Sequence, residues 1–247
     1  MTDHAWTSRF DRLHEDLSEI FGKRLRSLLA YETHFGVQTG AADPKADAGE
    51  DHAHAMVVVE TLTYADLVAC AAKVSEWTKA KIGTPLLLPH DEFERSLDAF
   101  PLEFSAIAEH HVLVAGTDPF DDAKINPRDV RRACETQAKS HLLHLREGFL
   151  EARGEPSGVS RLIAASVPSF RTLLVNLARL EGVHARSREA LVRHASGALG
   201  VPQALVEHVL SVRRPDDVDR SDALHLYTGY LDAVERLTQF LDGWKAQ

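Results

Sequence analysis

The sequence predicts an α+β fold in two parts: a mixed sheet flanked by helices over residues 1–125, then an all-α helical bundle over residues 126–247. Three observations predict it. Short apolar runs of strand length are confined to the first half. From Pro127 onward the apolar residues recur at helical spacing instead, with no strand-like run between them. A chain of 247 residues is also long enough for two modest domains, each burying its own core.

The elements follow in order. Phe10, Leu13, Leu17, Ile20 and Phe21 give residues 7–23 one apolar helix face. Residues 25–31 read as a buried strand, and residues 38–53, rich in Ala, Gly and Asp around Pro44, read as a surface loop. Val57, Val58 and Val59 make residues 55–60 a second strand. Thr63 is the expected N-cap of a helix over residues 64–80. Leu86, Leu87 and Leu88 form a short strand, a helix starts at 89–92, and residues 104–107 and 111–114 are further strands. Asn126 and Pro127 start a long helix bearing Val130, Cys134, Ala138, Leu142, Leu145 and Phe149 on one stripe. Helices over about 158–182 (with a kink expected at Pro168), 187–199, 202–213 and 221–244 complete the bundle, the last capped by Ser221.

Composition excludes several classes. Hydrophobic residues at 44% and charged residues at 26% are the balance of a soluble globular protein. A net charge of -9 disfavours nucleic-acid binding by long-range attraction. No apolar run approaches the roughly 20 residues that span a bilayer. The start, Met1-Thr2-Asp3-His4-Ala5-Trp6, lacks the basic and apolar segments of a secretory signal. With only Cys70 and Cys134, a disulfide framework is not expected, and the cytoplasm is the expected compartment.

One stretch carries most of the functional signal. Leu25-Arg26-Ser27-Leu28-Leu29-Ala30-Tyr31 runs into the turn Glu32-Thr33-His34-Phe35-Gly36, and His52-Ala53-His54 opens the next strand. This order resembles the DNA polymerase beta superfamily, and more closely its small bacterial nucleotidyltransferase branch. In that branch a Gly-Ser turn ends the first strand and Asp-x-Asp opens the second. Here Glu32-Thr33 stands at the turn and His52-Ala53-His54 at the paired carboxylates. The resemblance implies a nucleotidyltransferase-like sheet, a helical second domain, and a third carboxylate on a later strand, for which Glu103 is the counterpart. Glu103 is accordingly expected on a strand beside the second one.

Magnesium prefers oxygen ligands at about 2.1 Å and is normally held by carboxylates. His52 and His54 keep the alternate spacing that puts two side chains on one strand face, but they offer nitrogen donors suited to zinc, nickel or copper. Glu32 puts a negative charge where a triphosphate would lie. At an effective dielectric near 20, two unit charges about 4 Å apart repel by roughly 4 kcal/mol.

The first reading is therefore a catalytically degenerate member that acts by binding or regulation, with no cofactor. The alternative is an active, magnesium-dependent enzyme with a displaced carboxylate set drawn from Glu50, Asp51, Glu60 and Glu103, of which Asp51 and Glu103 would be catalytic. A transition metal at His52 and His54, joined by His34 and Glu103, is the sharp reading of the histidines; scattered loop imidazoles are the plain one. His110 and His111 read as strand residues, and His141 and His144 as helix-packing residues. Arg128, Arg131 and Arg132 either face an anion or form a solvated face paired to Glu135. A protein partner or a homodimer mate for the helical half completes the alternatives.

Overall fold

The computed structural model describes residues 3–31, 53–185 and 187–244. They divide into two compact units, Met1–Asn126 and Pro127–Gln247.

The first unit is a four-stranded mixed sheet with helices on both faces. Helix α1 (Asp3–Phe21) starts earlier than its apolar stripe, and a 3-10 turn at Gly22–Arg24 leads into β1 (Leu25–Tyr31). Then come β2 (His54–Val59), α2 (Tyr64–Lys79), β3 (Leu86–Pro89), α3 (His90–Ser96), α4 (Pro101–Glu109) and β4 (His111–Gly116). The sheet order is β3-β2-β1-β4. β1 pairs antiparallel with β2 and with β4, and β2 pairs parallel with β3. The two strands read from the sequence at 25–31 and 55–60 are therefore neighbours in the sheet.

Alternation divides the core. Leu28, Ala30, Ala55, Val57 and Val59 point to one face, against Phe10, Leu13, Leu17, Cys70 and Trp77 of α1 and α2. Leu29, Tyr31, Met56 and Val58 point to the other, against Leu88 of β3 and Phe93, Phe104 and Ile107 of α3 and α4. Burial on both faces explains why β1 and β2 read as unbroken apolar runs.

One expectation is overturned. Residues 104–107 lie in α4, so Glu103 sits in the first turn of a helix and not on a strand. Pro101 at the first helical position presets the backbone for that turn. A short run such as Leu102, Phe104, Ala106 and Ile107 does not distinguish strand from buried helix by period. The strand beside β2 is Leu86–Pro89, which carries no ionisable side chain.

α2 is fixed at both ends. Thr63 accepts from the Asp66 amide, and the Asp66 carboxylate accepts in return from the Thr63 backbone N–H, a capping box. Arg24 donates two 2.8 Å hydrogen bonds to the Asp66 carboxylate. Those bonds, with the ones from Thr63, outweigh burial and hold the Asp66 carboxyl well below the usual carboxylate range. At the other end the Ile82 amide donates to the Trp77 carbonyl and the Lys81 amide to the Thr78 carbonyl. This is a Schellman turn, and Lys81 occupies its left-handed position at φ 61°.

The second unit is wholly helical among its described residues: α5 (Pro127–Glu151), α6 (Pro156–Leu180), α7 (Arg188–Leu199), α8 (Gln203–Ser211) and α9 (Ala223–Gly243), with a 3-10 turn at Pro215–Asp217. Its core combines Val130, Cys134, Ala138 and Leu145 with Phe170, Leu174, Leu177, Tyr230, Val234 and Leu237. α6 runs through Pro168, whose carbonyl accepts from the Thr172 hydroxyl. The last helix is not capped by Ser221; that hydroxyl donates to Asp219, and Asp222 holds the N-cap position.

His141 sits on the buried stripe where Leu142 was expected. It shares a 2.8 Å hydrogen bond with the Tyr230 hydroxyl and stacks on Phe170. Burial, with a smaller contribution from His144, pulls the imidazole down to about 4. The folded value is depressed below the ordinary one near 6.5, so the stability gained by holding His141 neutral is complete above about pH 6.5. It is lost as pH falls towards about 4, and the full difference amounts to roughly 3 kcal/mol. Denaturant titrations at pH 7 and pH 4.5 should show that loss, and His141→Gln should remove most of it. Parallel losses in wild type and variant would refute the assignment.

Candidate functional site

Of the site residues expected from the sequence, His54 is the described one that lies at the end of the sheet where β1 leaves and β2 begins. Tyr31 is directly opposite His54 on one side and His111 on the other. Directly opposed residues in antiparallel pairs share a face, so His54, Tyr31 and His111 form a row across three strands. The row lies on the face shared with Met56 and Val58.

Each ring is held differently. Tyr31 is buried, and that burial pushes its phenol up to about 12. The half-buried His54 ring stacks on Tyr31, with centroids 5.5 Å apart and planes at 28°. Its position is set by the chain after α2. The Ala53 amide donates to the Lys81 carbonyl, the Gly83 amide donates to the Ala53 carbonyl, and Ala53 bridges to Ile82 as a parallel pair. A Cβ at Gly83 would meet His54 Nδ1 at 3.5 Å, an ordinary van der Waals contact, so the imidazole packs closely on this turn without requiring glycine there.

His111 is built into the scaffold. Its Nδ1 faces the carbonyls of Ile107 and Ala108 at 3.0 and 3.2 Å, and its Nε2 is 2.7 Å from the Asp118 carboxylate. The other Asp118 oxygen accepts from the Phe120 amide, and Phe120 packs on the His111 ring. His111 thus ties the end of α4 to the turn after β4. His110 caps α4 and is exposed beside Glu109.

The acidic candidates do not gather at this end. Glu103 is half-buried in α4 and makes no hydrogen bond or ion pair with a described residue. Glu60 follows β2 and pairs with Arg26 at 3.1 Å. It lies six positions along the chain from His54, a span of about 20 Å, which removes Glu60 from any set centred on the start of β2. Glu32, Thr33, His34, Glu50, Asp51 and His52 lie outside the described residues. Among the described residues no three His, Cys, Asp or Glu side chains are grouped to hold a metal ion. Among the described residues, His54 with Tyr31 and His111 is a nitrogen and aromatic surface, which does not fit the oxygen ligands magnesium prefers.

Other sequence candidates are structural in character. Arg131 pairs with Glu135 at 2.6 Å and donates to the Leu241 carbonyl, and Arg132 lies 3.3 Å from Asp129. His144 is exposed beside Glu147. Sequence reasoning missed two features of the site, the stacking of Tyr31 on His54 and the His111–Asp118 pair. The available signal for the second was the turn Gly116-Thr117-Asp118-Pro119, seven residues after His111, which returns an acid to the strand's start.

No family model and no curated protein matches the chain. Among solved structures, a spectinomycin adenyltransferase from Enterococcus faecialis, solved with ATP and spectinomycin, is similar over 93% of this chain and 98% of its own. The identity is 12% and the TM-score 0.48, a likeness that says nothing about this chain's chemistry. Among the described residues no helix is long and apolar enough to cross a membrane.

Proposed function

We propose that the chain is a nucleotidyltransferase-like scaffold that has lost nucleotidyl transfer and acts by binding, as a regulatory protein for a protein partner or a second copy of itself. The observation that carries this reading is the row His54, Tyr31 and His111 at the sheet end where the resemblance calls for carboxylates. Two further observations support it: β3, the strand beside β2, carries no acid, and Glu103 stands on a helix. Nucleotidyl transfer needs metal-bridged phosphates, and the described donors are of the wrong kind. Cys70 and Cys134 are buried free thiols, which supports a reducing compartment such as the cytoplasm.

The test is calorimetry of the full chain with ATP, CTP, GTP and UTP, with and without magnesium. No magnesium-dependent micromolar binding is expected. Such binding would overturn the proposal. Label transfer from a nucleoside triphosphate that disappears in Asp51→Ala and Glu103→Ala would instead establish the displaced-carboxylate enzyme.

A further inference from the structure

The second unit has a half-open surface cavity of about 360 Å³ lined by Ser157, Ser160 and the exposed Arg161 from the start of α6, and by Pro215, Val218 and the exposed Asp216 and Arg220 from the segment after α8. That volume is at the lower end for small-molecule sites, enough for a compact metabolite. Neither Arg161 nor Arg220 makes a hydrogen bond or ion pair with a described residue, and the same holds for Ser157 and Asp216. Arg12, Arg24, Arg26, Arg131, Arg146 and Arg236 each face a carboxylate, whereas Arg95, Arg153 and Arg193, like the two arginines of the cavity, make no ion pair with a described residue. The unit as a whole does not share the acidity of the protein. Residues 127–247 hold 17 Lys and Arg against 15 Asp and Glu, while the full chain carries -9.

The wall opposite α6 is held in place without using those groups. The Asp217 carboxylate accepts from the Arg213 and Arg214 amides at 2.8 and 2.9 Å. Asp219 accepts from the Ser221 amide and hydroxyl, and buried Val218 anchors the segment between them. Asp216 and Arg220 therefore stand on a preorganised backbone, which lowers the ordering cost of binding. Ser160 spends its hydroxyl on the Pro156 carbonyl, so Ser157 offers the hydroxyl left for a ligand.

We propose that this cavity binds a small phosphate monoester that also carries hydroxyl groups, with a pentose phosphate as the representative ligand. Two guanidiniums suit a phosphate by charge and by their planar donor geometry. One carboxylate in the same cavity disfavours a bare anion but accepts from the hydroxyls of a sugar. The phosphate is assigned to Arg161, Arg220 and Ser157, and the sugar hydroxyls to Asp216. No magnesium is required, which separates this site from the nucleotide test above.

Titration calorimetry of the full chain with ribose 5-phosphate, inorganic phosphate and ribose, at fixed ionic strength and without magnesium, tests the assignment. Ribose 5-phosphate is expected to bind at least about tenfold more tightly than inorganic phosphate, with ribose alone inactive. Arg161→Gln and Arg220→Gln should each weaken ribose 5-phosphate by about tenfold. Asp216→Asn should weaken ribose 5-phosphate yet strengthen inorganic phosphate, since it removes a repelling charge. Far-UV circular dichroism checks that the variants remain folded. No binding of ribose 5-phosphate to the wild-type chain at millimolar concentration overturns the proposal without recourse to any variant. Equal affinity for inorganic phosphate, or arginine variants that bind as wild type does, overturns it as well.

Discussion

Replacing Asp16 with alanine is expected to cost the first unit about 1–3 kcal/mol, the range for leaving a buried donor without its partner. Asp16 is only 3% exposed, and its carboxylate accepts from the Trp77 indole N–H at 3.0 Å and from Lys73 at 3.1 Å, with Arg12 at 3.4 Å. Burial alone would raise its pKa, but the bonds from Trp77 and Lys73 and the charges of Arg12 and Lys73 win, so the carboxyl lies below its ordinary value. Alanine leaves a fully buried indole N–H with no acceptor and Lys73 with only the distant Glu19 carboxylate. Asp16→Asn keeps an acceptor for the indole and should lose distinctly less. Denaturant titration of both variants decides it. A loss below about 1 kcal/mol for the alanine would show that the α1–α2 packing does not depend on this carboxylate.

The second large effect is expected at Gly116→Ala. Gly116 ends β4 at φ 86°, a left-handed conformation that costs an L-residue about 1–2 kcal/mol. A Cβ there would overlap the Arg26 carbonyl oxygen and come within 2.7 Å of its carbon. Both are backbone atoms of β1, which cannot rotate aside. The same junction carries the Thr117 amide bond to the Arg26 carbonyl and the Ser27 hydroxyl bond to the Thr117 carbonyl. Forcing the two strands apart adds about 1–3 kcal/mol to the conformational cost. Gly22 is the internal control: at φ 53°, a Cβ there meets nothing within 4 Å. Gly22→Ala should therefore lose only the conformational part. Equal thermal shifts for the two variants would mean that the β1–β4 junction yields more easily than its geometry implies.

Much of the fold was legible because local signals and tertiary packing agree. β1 keeps the bounds its apolar run suggests, since both of its faces are buried. Thr63 is the N-cap its residue type suggests, reinforced by Asp66 three residues on. Residues 101–109 misled because a nine-residue helix packed against a sheet has too few turns to display a period. Ser221 misled for a related reason: a neighbouring carboxylate, Asp219, competes for its hydroxyl. The candidate site was legible only in part. Alternation places His54 on a face, but the ring that stacks on it comes from β1, and the opposition of Tyr31 to both histidines depends on two separate strand registers. Spacing within one strand carries no information about register between strands. Likewise, Arg161 and Arg220 are 59 positions apart in the chain and share a cavity only after the bundle forms.

The turn after α2 has a consequence for how this protein can vary. Lys81 and Gly83 are hydrogen-bonded to Ala53, one residue before His54, while Ile82 is tethered back to Trp77. The segment therefore acts as a ruler between the end of a helix and the start of a strand. Adding or deleting one residue within it would shift β3, the strand it leads into, by a single step along β2 and turn Leu86 and Leu88 to the opposite side of the sheet. Surface loops generally tolerate changes in length, but here length is part of the code, and descendants of this chain can lengthen elsewhere only if these few residues keep their number.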